Sequence, residues 1–140
     1  MKEVASKIFV GSYKDCQNTR KLKYRKSNFV PMGIVHIGNS CGCDLDDEWN
    51  KTYDIDDLAE EIHEAKKICS VLDNCESFID THRQKNGVLI HCRAGVSRSP
   101  TVVFLYLLRK KEISTYNEFR ELYQRWNPNN GFYKLIQEIL

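Results

Sequence analysis

Strands alternating with helices run through the 140 residues of this chain, the pattern of an α/β sheet with helices on both sides. Three observations carry that reading. Two short β-prone runs, Ile8-Phe9-Val10 and Gly33-Ile34-Val35-His36-Ile37-Gly38, are bounded by glycine. A helical period takes over from Leu58. Val88-Leu89-Ile90 is apolar throughout, as a parallel strand buried on both faces requires. At 41% hydrophobic and 29% charged residues the composition is globular, and residues 1–140 read as one domain able to bury a core without staples.

In chain order, Ile8-Phe9-Val10 is the first strand, closed by Gly11-Ser12, and residues 12–26 have room for a short helix before the second strand at 33–38. Tyr53-Asp54-Ile55 is a weak alternating segment. Leu58, Ile62, Ala65, Cys69, Leu72 and Ile79 then share one helical face, with charge opposite, and that helix ends before Asn86-Gly87. After the apolar strand at 88–90 and a loop, Thr101 to Arg109 reads as an apolar helix. Ser114 is the expected cap of the next one, Tyr116 to Arg125. Asn127-Pro128-Asn129-Asn130-Gly131 breaks it, and Phe132 to Leu140 closes the chain as a short helix.

Charge is balanced at +2 overall, which gives no electrostatic reason to expect nucleic acid as a partner. It is unevenly spread: five cations fall between Arg20 and Lys26, and ten of the nineteen acids between Asp44 and Glu64. Both runs read as solvated surface. No apolar stretch is long enough to span a bilayer, and Met1-Lys2-Glu3-Val4 resembles neither a signal peptide nor a lipidation site, so no membrane anchor is expected. The six cysteines then read as reduced thiols of a cytoplasmic, possibly nuclear, protein. Cys41-Gly42-Cys43 reads as two thiols, since a metal site would need a second pair or a nearby histidine.

The chemistry concentrates in His91-Cys92-Arg93-Ala94-Gly95-Val96-Ser97-Arg98-Ser99-Pro100. A loop between a buried strand and a helix start turns successive backbone N–H groups, here of residues Arg93, Ala94, Gly95, Val96, Ser97 and Arg98, into one concavity backed by the helix dipole. That is a cradle for a tetrahedral dianion. Gly95 lets the backbone approach closely or take positive φ. Arg98, six residues after Cys92, brings a planar fork suited to two phosphoryl oxygens. Pro100 falls in the first helical turn, where its missing N–H costs little. The groups that hold a phosphate also stabilise a thiolate at Cys92, a strong nucleophile at the mouth of the cradle. Ser99 is placed to hydrogen-bond that sulfur when it leaves again, and His91 to orient the loop.

His-Cys-Arg-Ala-Gly-Val-Ser-Arg-Ser resembles the signature loop of the cysteine-dependent protein tyrosine phosphatase superfamily, and the small Ala94, Val96 and Ser97 look like its dual-specificity branch. The resemblance continues at residues 8–18, at Gly33–Asn39, at Phe78-Ile79-Asp80 and at 127–132. It implies a central, mainly parallel sheet of protein tyrosine phosphatase-like fold. It also implies hydrolysis of phosphotyrosine, phosphoserine and phosphothreonine on a phosphoprotein substrate, through a phosphocysteine and with neither metal nor cofactor. The family further implies an aspartic acid that protonates the leaving oxygen. Without gaps its position falls at Glu60, Glu61 or Ile62, so Asp57, thirty-five residues before Cys92, is the favoured acid, followed by Asp56 and then by Glu60 or Glu61. Two other readings stay open: a non-protein phosphate, such as a phosphoinositide or an RNA 5′ end, and a phosphopeptide-binding module with little catalysis.

Overall fold

The computed structural model describes residues 1–25, 32–38, 47–57 and 59–140, with the side chains of 20–25 left aside. Asn39, the Cys41/Cys43 pair, Leu58 and the side chains of the basic run lie outside these described residues. Among the described residues five strands and six helices follow one another: β1 Lys2–Ala5, β2 Ile8–Gly11, α1 Tyr13–Arg25, β3 Gly33–Ile37, β4 Asn50–Tyr53, α2 Ile62–Ala65, α3 Lys67–Arg83, β5 Val88–His91, α4 Arg98–Arg109, α5 Tyr116–Leu122 and α6 Asn130–Ile139.

The strands form one sheet in the order β1-β2-β5-β3-β4. Only the β1–β2 pair is antiparallel; β2, β5, β3 and β4 run parallel. This is the mixed α/β, mostly parallel architecture expected. Every residue of β3 and β5 is buried, which explains why Val88-Leu89-Ile90 carries no polar alternation. The main core lies between the sheet and α3, α4 and α6, while Cys16 of α1 covers Ile34 and Leu89 on the opposite face. Residues Ser99 to Leu107 of α4 are all buried, as an apolar helix threaded through the middle of a domain must be. Trp126, fully buried, packs at a tilt against Phe104 and edge-on against Phe119 and donates from Nε1 to Thr101 Oγ1 at 3.1 Å, which pins the chain after α5 against α4. No described helix is long and apolar enough to cross a membrane.

Several expected boundaries move. The helix expected from Leu58 starts at Ile62 and is divided into α2 and α3. The physical reason is long-range: Gly131 N donates to the Ala59 carbonyl at 2.9 Å, and Glu61 is extended at φ −120°, so residues 59–61 are committed to the start of α6. Ala59 and Ile62 nevertheless keep the helical spacing. β4 ends at Tyr53, so it precedes the alternating segment expected at Tyr53-Asp54-Ile55 and shares only its first residue. α4 begins at Arg98, three residues early. The cap of α5 is Thr115, whose side chain accepts from Glu118 N, while Ser114 instead donates to Glu118 Oε1 at 2.8 Å; α5 then ends at Leu122. β1, short and half exposed at an edge, was not anticipated.

Candidate active site

The parallel register sets Gly11 of β2 and His36 of β3 on either side of His91, the last residue of β5. The loop from Cys92 to Ser97 therefore leaves the carboxyl edge of the sheet between two neighbouring strand ends, the place where open α/β sheets hold ligands. It runs straight into the N-terminus of α4, whose dipole is positive there. Ser97 makes no side-chain cap; its Oγ accepts from Asn129 N at 3.0 Å instead.

The backbone holds the loop in one shape. Cys92 N donates to the Gly11 carbonyl, Tyr13 N to the Arg93 carbonyl and Asn127 N to the Val96 carbonyl. Tyr123 donates from its hydroxyl to the Gly95 carbonyl at 2.5 Å, and Arg125 reaches the Ala94 carbonyl at 3.1 Å. Desolvation at this buried contact pushes the Tyr123 phenol up, which keeps it a donor. Gly95 takes φ +70°, and a Cβ there would lie 2.8 Å from the Gly11 oxygen. Both reasons for a glycine expected from the sequence, positive φ and close approach, thus hold at once.

Cys92 is buried with its Sγ 3.2 Å from Ser99 Oγ. Ser99 also donates to the Gly11 carbonyl at 3.4 Å. One hydroxyl proton has two acceptors in reach, so it can stay on Gly11 while the sulfur is protonated and turn to the sulfur when it carries charge. His91 Nδ1 meets the Cys92 carbonyl at 3.2 Å.

Arg98 donates from Nη1 to the Ile55 carbonyl at 2.8 Å, which fixes the plane of the guanidinium. Its Nε is buried and, among the described residues, is the one buried side-chain nitrogen or oxygen without a hydrogen-bond partner. Such a donor is costly to leave unmet, and a phosphoryl oxygen seated in the loop would meet it. Arg93 is exposed and adds no cation to the loop interior. Gly38, at φ +85°, makes room for the guanidinium, since a Cβ there would lie 2.5 Å from Arg98 Nη1.

The four candidate acids separate by their partners. Asp57 is exposed, and its Oδ1 accepts from Asn129 Nδ2 at 2.8 Å; the same Asn129 donates its backbone N–H to Ser97 of the loop. Asp56 lines a cavity of about 270 Å³ with Asp54, Ile55, Ala59, Glu64 and Lys67. Glu60 accepts from Asn130 Nδ2 and Glu61 from Lys134, so both face α6. Asp57 is thus the acid joined to the phosphate loop through a single residue.

Asn129, Gly38 and His36 were not singled out as site residues from the sequence. Asn129 falls within a segment that the sequence marks as a helix breaker and as part of the family resemblance, with no site role. His36 is fully buried and bonded to His91.

A loop at the carboxyl edge of a parallel sheet, with a buried cysteine at its start and an arginine folded over it, is the arrangement that the sequence resemblance leads one to expect of a cysteine-dependent phosphatase domain. The profile of the dual specificity phosphatase catalytic domain matches residues 34–139, and the chain belongs to that family. It is 32% identical over 137 residues to MAP kinase phosphatase with leucine-rich repeats protein 3 of Dictyostelium discoideum, covering 93% of this chain and 15% of that protein. It is 42% identical over 77 residues to human dual specificity protein phosphatase 5, covering 52% of this chain and 20% of that one. The chain therefore spans less than a quarter of the length of either relative. Among solved structures, DUSP15 superposes with a TM-score of 0.72 at 19% identity, covering 99% of this chain and 86% of that one. The human tyrosine phosphatase-like serine/threonine/tyrosine-interacting protein gives 0.71 at 22%, covering 99% and 94%. At these identities the structures speak for the fold.

Proposed function

We propose that residues 1–140 form a single catalytic domain that hydrolyses phosphotyrosine, and phosphoserine or phosphothreonine, on protein substrates through a phosphocysteine. The observation that carries this reading is the pairing of Cys92 Sγ with Ser99 in the same loop that leaves Arg98 Nε, a buried donor, without a partner.

The phosphoryl group sits on the loop N–H groups of residues 93–98 with two oxygens against Arg98. Cys92 thiolate attacks phosphorus in line, so an S–P bond forms as the P–O bond to the substrate breaks. Asp57 gives its proton to the departing oxygen, which leaves as the Tyr, Ser or Thr hydroxyl. Water then attacks phosphorus, Asp57 takes its proton, and the S–P bond breaks with the electron pair returning to sulfur. Ser99 donates to that sulfur as its charge reappears. Arg98 and the loop hold the equatorial oxygens through both steps. The outward position of Arg93 favours a phosphoprotein over a phosphoinositide, whose extra phosphates call for further cations inside the loop. A thiolate nucleophile needs a reducing compartment, in keeping with the cytoplasm or nucleus.

Turnover of an aryl phosphate by the purified chain, beside Cys92→Ser, tests the reading. The parent is expected to turn over, and the variant to be inactive while still binding vanadate. Retained turnover in Cys92→Ser would overturn the phosphocysteine.

A further inference from the structure

Asn129, the cap of α6, meets three parts of the molecule at once. Its Oδ1 accepts from Phe132 N at 2.8 Å, its backbone N–H donates to Ser97 Oγ of the phosphate loop at 3.0 Å, and its Nδ2 donates to Asp57 Oδ1 at 2.8 Å. Asp57 is 72 residues away along the chain. The neighbouring bonds of the same cap, from Gly131 and Asn130, end on the Ala59 carbonyl and the Glu60 side chain. Asn129 thus ties the Asp57 carboxyl itself to the phosphate loop.

The direction of each bond is forced. A backbone N–H can only donate, so the amide atom that faces Phe132 is the oxygen. The other end of the amide is then its NH2, which also only donates, so the Asp57 oxygen facing it accepts. In a protonated carboxyl the better acceptor is the carbonyl oxygen. Oδ1 takes that part, and the proton stands on Oδ2. The start of a helix therefore decides which oxygen of Asp57 carries the proton. We infer that Asn129 is a positioning residue for proton transfer: it aims Asp57 Oδ2 relative to the phosphate loop without touching substrate itself. This rests on the proposed role of Asp57 as the acid.

Asp57 is exposed, and an untethered carboxyl there would turn about its side-chain torsions in solvent. Two anchors oppose that freedom. Two residues earlier, the Ile55 carbonyl accepts from Arg98 Nη1 at 2.8 Å, which sets the backbone of the segment against the guanidinium. Asn129 then fixes the carboxyl. Because the cap and the Ser97 bond already order Asn129, holding Asp57 adds little further entropy cost. An acid acts only within hydrogen-bond reach of the leaving oxygen, and a misplacement of about 1 Å can cost about a hundredfold in rate.

Asn129→Ser in the full chain tests the inference. Serine caps a helix about as well as asparagine and keeps the backbone N–H for Ser97, but its Oγ is too short to reach Asp57. For phenyl phosphate, whose leaving group needs a proton, kcat/KM should fall about ten- to a hundredfold. For a fluorinated aryl phosphate, which departs unaided, it should fall less than about threefold, with vanadate affinity kept. Added to Asp57→Asn, Asn129→Ser should slow phenyl phosphate no further, because its effect passes through Asp57. Equal slowing of both substrates, weakened vanadate binding, or further slowing in the double variant would overturn the inference. Asn129→Thr, also a capping residue, supplies the same readings where the serine variant does not fold. The single variants keep two failures apart. A leaving-group effect in Asp57→Asn without one in Asn129→Ser would remove the role of Asn129 and keep the acid; none in Asp57→Asn would remove the acid and this inference with it.

Discussion

Gly95→Ala asks whether the loop's shape is what confers its chemistry. Two costs can be worked from the structure. The φ of +70° places a residue with a Cβ in the left-handed region, at about 1–2 kcal/mol. The new Cβ would also stand 2.8 Å from the Gly11 oxygen and 2.9 Å from its carbon, both backbone atoms of β2. Overpacking against a framework that cannot swing aside typically costs about 1–3 kcal/mol. The sum is roughly 3 kcal/mol, or about a hundredfold in rate if it all falls on the catalytic shape of the loop. The Gly11 oxygen is also the acceptor for Cys92 N and Ser99 Oγ, so the strain arrives at the nucleophile and at its partner. Two assays divide the cost: urea unfolding reads what the folded state bears, and kcat/KM on an aryl phosphate, with vanadate affinity, reads what the loop has surrendered. A loop held in place shows as lost stability; a displaced loop shows as lost turnover and weaker vanadate binding. Stability within a few tenths of a kcal/mol of the parent together with kcat/KM within about twofold would refute the reasoning, because no third place exists for the strain to go.

Arg98→Lys should lower kcat/KM by about 10²–10³-fold, since an ammonium cannot reach the Ile55 carbonyl and two phosphoryl oxygens together; near-parent activity would contradict the guanidinium geometry. Asp57→Asn should slow phosphoserine peptides by about 10²–10⁴-fold and a fluorinated aryl phosphate little, with Glu60→Gln, bonded to Asn130, near the parent; leaving-group dependence appearing in the Glu60 variant would move the acid there. Burial pushes the Cys75 thiol from 9.0 up to about 12, so its contribution to stability is whole below pH 9 and declines between pH 9 and about 12, where the unfolded chain loses that proton first. Cys75→Ala should flatten this part of the pH–stability curve by up to about 1.4 kcal/mol per pH unit, and an unchanged slope would show that another group sets it. Peroxide, followed by mass mapping, should oxidise Cys92 before Cys69 and Cys75, whose thiols are both held protonated by desolvation; the reverse order would count against a thiolate at Cys92.

What could be read from the sequence divides by how far apart the cooperating residues lie along the chain. Cys92, Gly95, Arg98 and Ser99 fall within eight consecutive residues between a strand and a helix, so their spacing already carries their geometry. The Thr115 cap was equally local: Thr115 with Glu118 three residues on fits the capping box, and Ser114 does not. His36 was hidden because its partner is fixed by the pairing of two strands, His36 opposite His91, and a β-sheet register is not written in either strand alone. Two histidines near the ends of two apolar runs were the available signal. Gly38 likewise has its meaning only once Arg98 has folded back from a helix sixty residues later.

The acid segment was harder for a further reason: its local signal points the wrong way. Ala59, Ile62 and Ala65 keep a helical spacing with charges between them, and periodicity alone extends the helix back to Leu58. The competing interaction comes from residues about seventy positions away. Gly131 N donates to the Ala59 carbonyl, Asn130 to Glu60 and Asn129 to Asp57, so the start of α6 holds residues 57, 59 and 60 out of the helix. Because Asn129 also grips Ser97, the end of the chain sets the distance between the proposed proton donor and the phosphate loop. The Asn127-Pro128-Asn129-Asn130-Gly131 stretch is therefore more than a break between two helices. It joins a loop whose local sequence is distinctive to the segment of the proposed acid, whose local sequence is ambiguous, and that contact exists only once the fold has brought the two together.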